Sequence, residues 1–296
     1  MLVPRSVWLK SRSLDDGRGE LTDRATQQWV KLTGRRVDLA ECPWLRGPVG
    51  KATGIGSSYF EELATEQGLE IQRSGEARGL VANLELLRGP GFDPSAVDSR
   101  VRDFYERTSE YDLEAWSEWC GAFRPFGHLL AWMFSRRLQQ LNVPLSPLDT
   151  SRGTRSEVLQ LVTPATREVR FTAWLRHLRQ TGNVLYAGTY GITSVPGHAG
   201  PCLQVVFPLP TGNGIVVLRP SVDDSGTLTV TSAGRGFGDP GFYFTVHRPA
   251  GVWARYVRTM QESIRVYPDG DDVRADHTLK LWRQVFMRLH YRMRLR

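Results

Sequence analysis

The chain has 296 residues, 41% apolar and 23% charged, with a net charge of +7, which is ample to bury a core and ordinary for a soluble globular protein. Its cations are 34 arginines against Lys10, Lys31, Lys51 and Lys280, and because they are spread along the whole chain and match no DNA- or RNA-binding signature, they argue against nucleic acid as a partner. Cys42, Cys120 and Cys202 are odd in number, far apart and outside any CxxC pair, which excludes a disulfide framework and a cysteine zinc site.

Two bland readings follow from composition. The arginine excess fits codon bias in a GC-rich genome, although guanidinium forks also suit anionic partners. The N-terminus has no apolar core of signal-peptide length, and no run reaches the roughly 20 apolar residues of a spanning helix. A cytoplasmic location is expected.

Residues 1–55 carry many charges and glycines with little periodicity and are expected to be irregular. Gly50 to Ser58 reads as a loop leading into a helix, with Ser58 and Glu61 at capping-box spacing. The loop lacks the order of a phosphate-binding P-loop. Residues 56–150 read as mainly helical: Asp93-Pro94 opens a stripe of Val97, Val101, Phe104, Tyr105 and Thr108. Leu113, Trp116 and Cys120 continue that spacing. Phe126, Leu129, Leu130, Met133, Phe134, Leu138 and Leu141 then make a broad apolar face, ended by Pro144 and Pro147.

From residue 157 the period changes to 2, so 151–296 reads as an antiparallel sheet region forming one compact domain with 56–150. Val169, Phe171, Ala173 and Leu175 alternate with polar residues; Val184, Tyr186, Tyr190 and Ile192 share a face of the next run; Leu203, Val205, Phe207 and Leu209 follow. Gly, Asn and Asp turns separate these runs without helical crossovers, the pattern of consecutive hairpins. Residues 251–262 read as a short helix. The three glycines Gly234, Gly236 and Gly238 lie between strands, where no helix dipole serves a phosphate. The final run places Val285, Met287, Leu289, Tyr291, Met293 and Leu295 opposite Phe286, Arg288, His290, Arg292, Arg294 and Arg296. A ribbon of that length fits a sheet that curves around its interior.

Few residues point to chemistry. His177 follows Leu175 and His277 lies between Ala275 and Leu279, so both sit on apolar strand faces, as do Tyr186 and Tyr190. Each has an ordinary reading as a paired core residue. Together they are also the kind of sparse polar groups that orient a ligand in an apolar pocket. Arg137 projects from the apolar stripe of the middle helix, where it either snorkels outward or needs an anion. No spacing marks a metal site or a catalytic triad, and no cofactor is indicated.

The expected fold is α+β, a curved antiparallel sheet enclosing an apolar interior with N-terminal helices over it, helix-grip or lipocalin-like in general plan by analogy alone. The expected function is binding of a hydrophobic or amphipathic small molecule (lipid, polyketide or terpenoid), with His177, His277, Tyr186, Tyr190 and Arg137 as candidate contacts. The alternatives are an enzyme (cyclase, isomerase or hydrolase) using a cavity histidine as general base, and a peripheral protein on an anionic membrane surface, for which the amphipathic Phe123–Leu141 stretch speaks.

Overall fold

The computed structural model describes residues 16–50, 58–73, 78–121, 123, 154–178 and 184–296. Within them the chain is an α+β protein dominated by antiparallel strands. The N-terminal part supplies α1 (Asp16–Thr33), β1 (Arg35–Val37), α2 (Tyr59–Gln67), β2 (Glu70–Gln72), α3 (Ser99–Glu106) and β3 (Tyr111–Trp119). The remainder is strand after strand: β4 (Thr154–Val162), β5 (Val169–Leu178), β6 (Val184–Thr193), β7 (Cys202–Leu209), β8 (Gly212–Val222) and β9 (Leu228–Thr231). It ends with β10 (Gly241–Arg248), β11 (Gly251–Tyr256), β12 (Met260–Asp269), β13 (Asp272–Leu281) and β14 (Gln284–Leu295).

Three expectations are corrected. The segment expected to be irregular contains α1, 18 residues long; tertiary contacts hold it, with Gln27 donating to the Pro210 carbonyl at 3.2 Å and Trp29 edge-on to Phe244. The helix expected through Leu113, Trp116 and Cys120 ends at Glu106, and β3 follows. There Tyr111, Leu113 and Ala115 are buried while Asp112, Glu114 and Trp116 are exposed, a period of 2 hidden by residues that also fall at helical spacing. Finally, the helix expected over 251–262 is β11 and the start of β12, because β11 is laddered on both sides, to β10 and to β1. The stripe Phe126–Leu141, and Arg137 with it, lies outside the described residues.

The main path of the sheet runs β2-β4-β5-β6-β7-β8-β9-β12-β13-β14-β3. It forks at β8. On one side, Gly212–Leu218 pair with β7; on the other, Gly212–Val217 pair with β10 while Arg219–Val222 pair with β9. Along the path from β4 to β3 every strand turns side chains into one core, among them Val158, Trp174, Val205, Leu218, Val230, Val266, Ala275, Met293 and Leu113. Strands that far apart in order meet only if the sheet curls. Twist supplies part of this, and register shifts at Leu161/Val162, Arg176/His177 and Leu279/Lys280 add bends. The curl stays open: no ladder joins β3 to β4 among the described residues.

Outside this core two further clusters cover the convex side. Tyr59, Phe60 and Leu63 of α2 pack on Leu159, Leu161, Ala173 and Leu175, and Trp44 and Leu45 pack near Val206, Ile215 and Val217. Strands β4 to β8 are thus buried on both faces, which is why Ile215–Leu218 is an unbroken apolar run rather than an alternating one. The β13–β14 turn is built from two non-glycine residues in the left-handed region, Trp282 (φ 48°) and Arg283 (φ 68°), where two-residue hairpins ordinarily use Asn-Gly.

Candidate functional site

The concave side of the curl leaves a cavity of about 100 Å³, lined by β3, β5–β8 and β12–β14 and closed by Leu80, Phe104 and Tyr105. The cap is fixed locally. Asp98 caps α3 by accepting from Arg100 N–H at 2.9 Å, and Thr108 donates to the Phe104 carbonyl at 2.6 Å, ending the helix with Phe104 and Tyr105 turned inward. Most of the lining is apolar. Seven polar side chains interrupt it: Tyr105, Arg176, Tyr186, Tyr190, Glu262, His277 and Tyr291.

Arg176 belongs to β5 and is 5% exposed. Its guanidinium lies 5.5 Å from the Trp174 ring and 5.8 Å from the Tyr291 ring, and its Nε has no hydrogen-bond partner. Burial lowers its pKa, opposed by the hydroxyls of Tyr291, Tyr190 and Tyr186. Trp174, on the same face, is anchored by its indole N–H donating to Ser156 Oγ at 2.7 Å.

Across the cavity, His277 Nε2 and Glu262 Oε2 are 2.9 Å apart. The base of Glu262 is set by a two-way exchange with buried Ser232: Glu262 N–H donates to Ser232 Oγ at 2.8 Å, and Ser232 N–H to the Glu262 carbonyl at 3.0 Å. The His277 ring stacks on Tyr291 at 6.4 Å between centroids. Burial pushes the Tyr291 hydroxyl up to about 12, with Arg176 lowering it and Glu262 raising it.

On β6, Tyr186 Oη donates to Tyr190 Oη at 2.9 Å, and burial raises both hydroxyls' pKa values. The two are spaced i, i+4 with Gly188 between them. A Cβ at 188 would come within 3.1 Å of Tyr186 Oη, so the glycine lets the Tyr186 ring lie down along the strand.

Of the residues singled out from sequence, His277, Tyr186 and Tyr190 converge on this cavity. His177 does not. It shares a face with Ala173 and Leu175 on the convex side and lines a separate open cleft with Arg73, Arg155 and Glu157. Val184 departs from Tyr186 for a related reason: Arg176 pairs with Tyr186 but His177 pairs with Val184, so Leu185 is an extra residue that sends Val184 to the convex side. Arg176, Glu262, Trp174 and Tyr291 join them in the lining, and sequence alone does not single these four out as contacts. Arg176 falls on the face of Arg170 and Thr172, which alternation alone assigns to solvent, and Glu262 lies in a stretch whose sequence reads as helix. The three cysteines are free, and among the described residues no group of three or more His, Cys, Asp or Glu is placed to hold a metal ion.

No family model matches the chain, and no solved structure matches it. A curated relative is an uncharacterized membrane protein, YndJ, of Bacillus subtilis (strain 168), 29% identical over 177 residues. The alignment covers 58% of this chain and 31% of the relative, so the chain spans about a third of the length of the curated relative it matches. That likeness is partial on both sides. Among the described residues, no helix is long and apolar enough to cross a membrane.

Proposed function

We propose that the protein binds a hydrophobic or amphipathic small molecule in the concave interior of its sheet. One observation carries this reading: an apolar-lined cavity into which a few fixed polar groups converge, the general form of small-molecule sites. The curl with helical cover resembles helix-grip and lipocalin-like proteins in plan, an analogy of architecture only. At about 100 Å³ the cavity is well below the roughly 300–1,000 Å³ of drug-sized pockets, which favours a ligand with a short apolar body.

Native mass spectrometry of the protein as isolated tests this reading. The expected result is a stoichiometric non-covalent adduct that Ala275→Leu, which fills the lining, removes from the folded protein. Loss of nothing on filling the cavity, with the adduct retained, would place any ligand elsewhere.

A second reading as an enzyme rests on the Glu262–His277 contact. If the imidazole donates Nε2–H to the carboxylate, Nδ1 is left as a base, the orientation logic of acid–base catalysis. Turnover that follows imidazole titration and is lost in His277→Phe would favour it over simple binding. Peripheral contact with an anionic membrane is compatible with the relative's being called a membrane protein, but the arginines of β14 and of the residue after it face carboxylates: Arg292 with Asp272 (2.5 Å), Arg288 with Glu118 (3.5 Å) and Arg296 with Asp112 (2.9 Å).

A further inference from the structure

We infer that the molecule taken into the cavity carries an oxyanion, carboxylate or phosphate, received by Arg176. This rests on the binding reading above and narrows it to a ligand class. Arg176 is a buried cation, and among the described residues the groups acting on it are tyrosine hydroxyls and no carboxylate. The carboxylate that shares the cavity, Glu262, is engaged by His277.

The faces of Trp174 and Tyr291 ease a desolvated guanidinium but accept none of its five N–H donors. Nε is left without a partner. A buried cation in that condition is destabilising unless an anion completes it, and the planar guanidinium fork matches a carboxylate or phosphate two bonds at a time.

The tyrosines add donors to the same place. Tyr186 gives its proton to Tyr190, so the Tyr190 hydroxyl keeps its own proton for an incoming acceptor. With burial holding the Tyr190 and Tyr291 hydroxyls protonated, both remain donors at neutral pH. Ring faces, an unpartnered guanidinium Nε–H and neutral hydroxyls suit an acidic head on a short apolar body.

The test uses the intact protein and four probes of equal chain length, hexanoate, hexyl phosphate, hexan-1-ol and hexylamine, by calorimetry and thermal shift, with inorganic phosphate as a fifth. We expect hexanoate or hexyl phosphate to bind at least about tenfold tighter than hexanol, with hexylamine weakest. Binding of inorganic phosphate as tight as that of hexyl phosphate would show a free anion site and overturn the amphipathic ligand class. Arg176→Met should erase the preference and raise the melting temperature of the ligand-free protein, since it removes an unpaired buried charge while keeping apolar volume. A structural arginine would behave oppositely, so a lower melting temperature with the preference intact overturns the inference. Should Arg176→Met fail to fold, the wild-type ranking decides alone, and Tyr190→Phe should weaken hexanoate without affecting hexanol. Equal binding of hexanol and hexanoate would sink the oxyanion assignment and leave the binding reading standing. Binding of none of the probes would remove both.

Discussion

The guanidinium of Arg176 on β5 sits 5.8 Å from the ring of Tyr291 on β14, although seven strand-to-strand steps separate the two along the sheet path. That closeness is the curl seen at the level of two side chains. It also ties the stability of the terminal strand to a charge carried more than a hundred residues earlier.

The two faces of β14 should therefore respond differently to substitution. Tyr291→Arg would set a second cation beside Arg176 in a buried site and should cost several kcal/mol, on the order of a domain's whole margin. Arg292→Gln and Arg294→Gln lie on the solvent face, where Arg294 and Glu114 are exposed and Arg292 and Asp272 half-covered, and because ion pairs with solvent access contribute about 0–1 kcal/mol they should leave the urea midpoint nearly unchanged. Denaturation curves that rank these variants in the opposite order would reverse the assignment of faces.

Glu262 and His277 should behave as a unit. His277→Phe leaves a buried carboxylate without its partner and should cost about 1–3 kcal/mol or more. The double variant Glu262→Met with His277→Phe replaces both groups by apolar ones and should recover most of that loss. A double-mutant cycle with no coupling would mean the 2.9 Å contact contributes nothing in solution.

Acid sensitivity should begin near neutrality. Burial lowers the pKa of His247 below 6.5, and its Nε2 has no hydrogen-bond partner; burial, then the Arg219 charge, lowers His198 as well. A base with a depressed folded pKa binds its proton more readily when unfolded, so stability is full above pH 6.5 and declines as pH falls through the folded value. His247→Phe should flatten part of that slope in melts taken between pH 7 and 5. An unchanged slope would show that other groups set it.

The β13–β14 turn offers a stabilising change. Left-handed conformations at non-glycine residues cost roughly 1–2 kcal/mol each, and Trp282 is 66% exposed, so little packing would be lost. Trp282→Asn with Arg283→Gly should raise the melting temperature. A fall would mean the indole makes a contact worth more than the strain.

Much of this fold is legible in the sequence, and the parts that are not share a cause. The hairpins from β5 to β8 and the terminal strand follow from alternation and turn residues. Alternation, however, separates two faces without saying which is concave. In β5 both faces are covered, so Leu175 and His177 looked interior while Trp174 and Arg176 held that place. Leu185 then shifted the next strand by one residue, which no pattern of hydrophobicity records. β3 misled for the opposite reason, since Leu113, Trp116 and Cys120 satisfy a helical spacing and only the burial of Tyr111 and Ala115 exposes the strand.

The fork in β8 has a consequence for how the molecule comes apart. Its first half is shared by β7 and β10 and its second half is joined to β9, so either branch that peels away breaks bonds to the one eleven-residue strand that joins them. Opening events confined to one branch should leave Ile215–Leu218 protected, and their amide protons should exchange only when the whole molecule unfolds. Hydrogen exchange that released β8 together with β10 and β11, ahead of the strands beyond β9, would show that the two branches open independently.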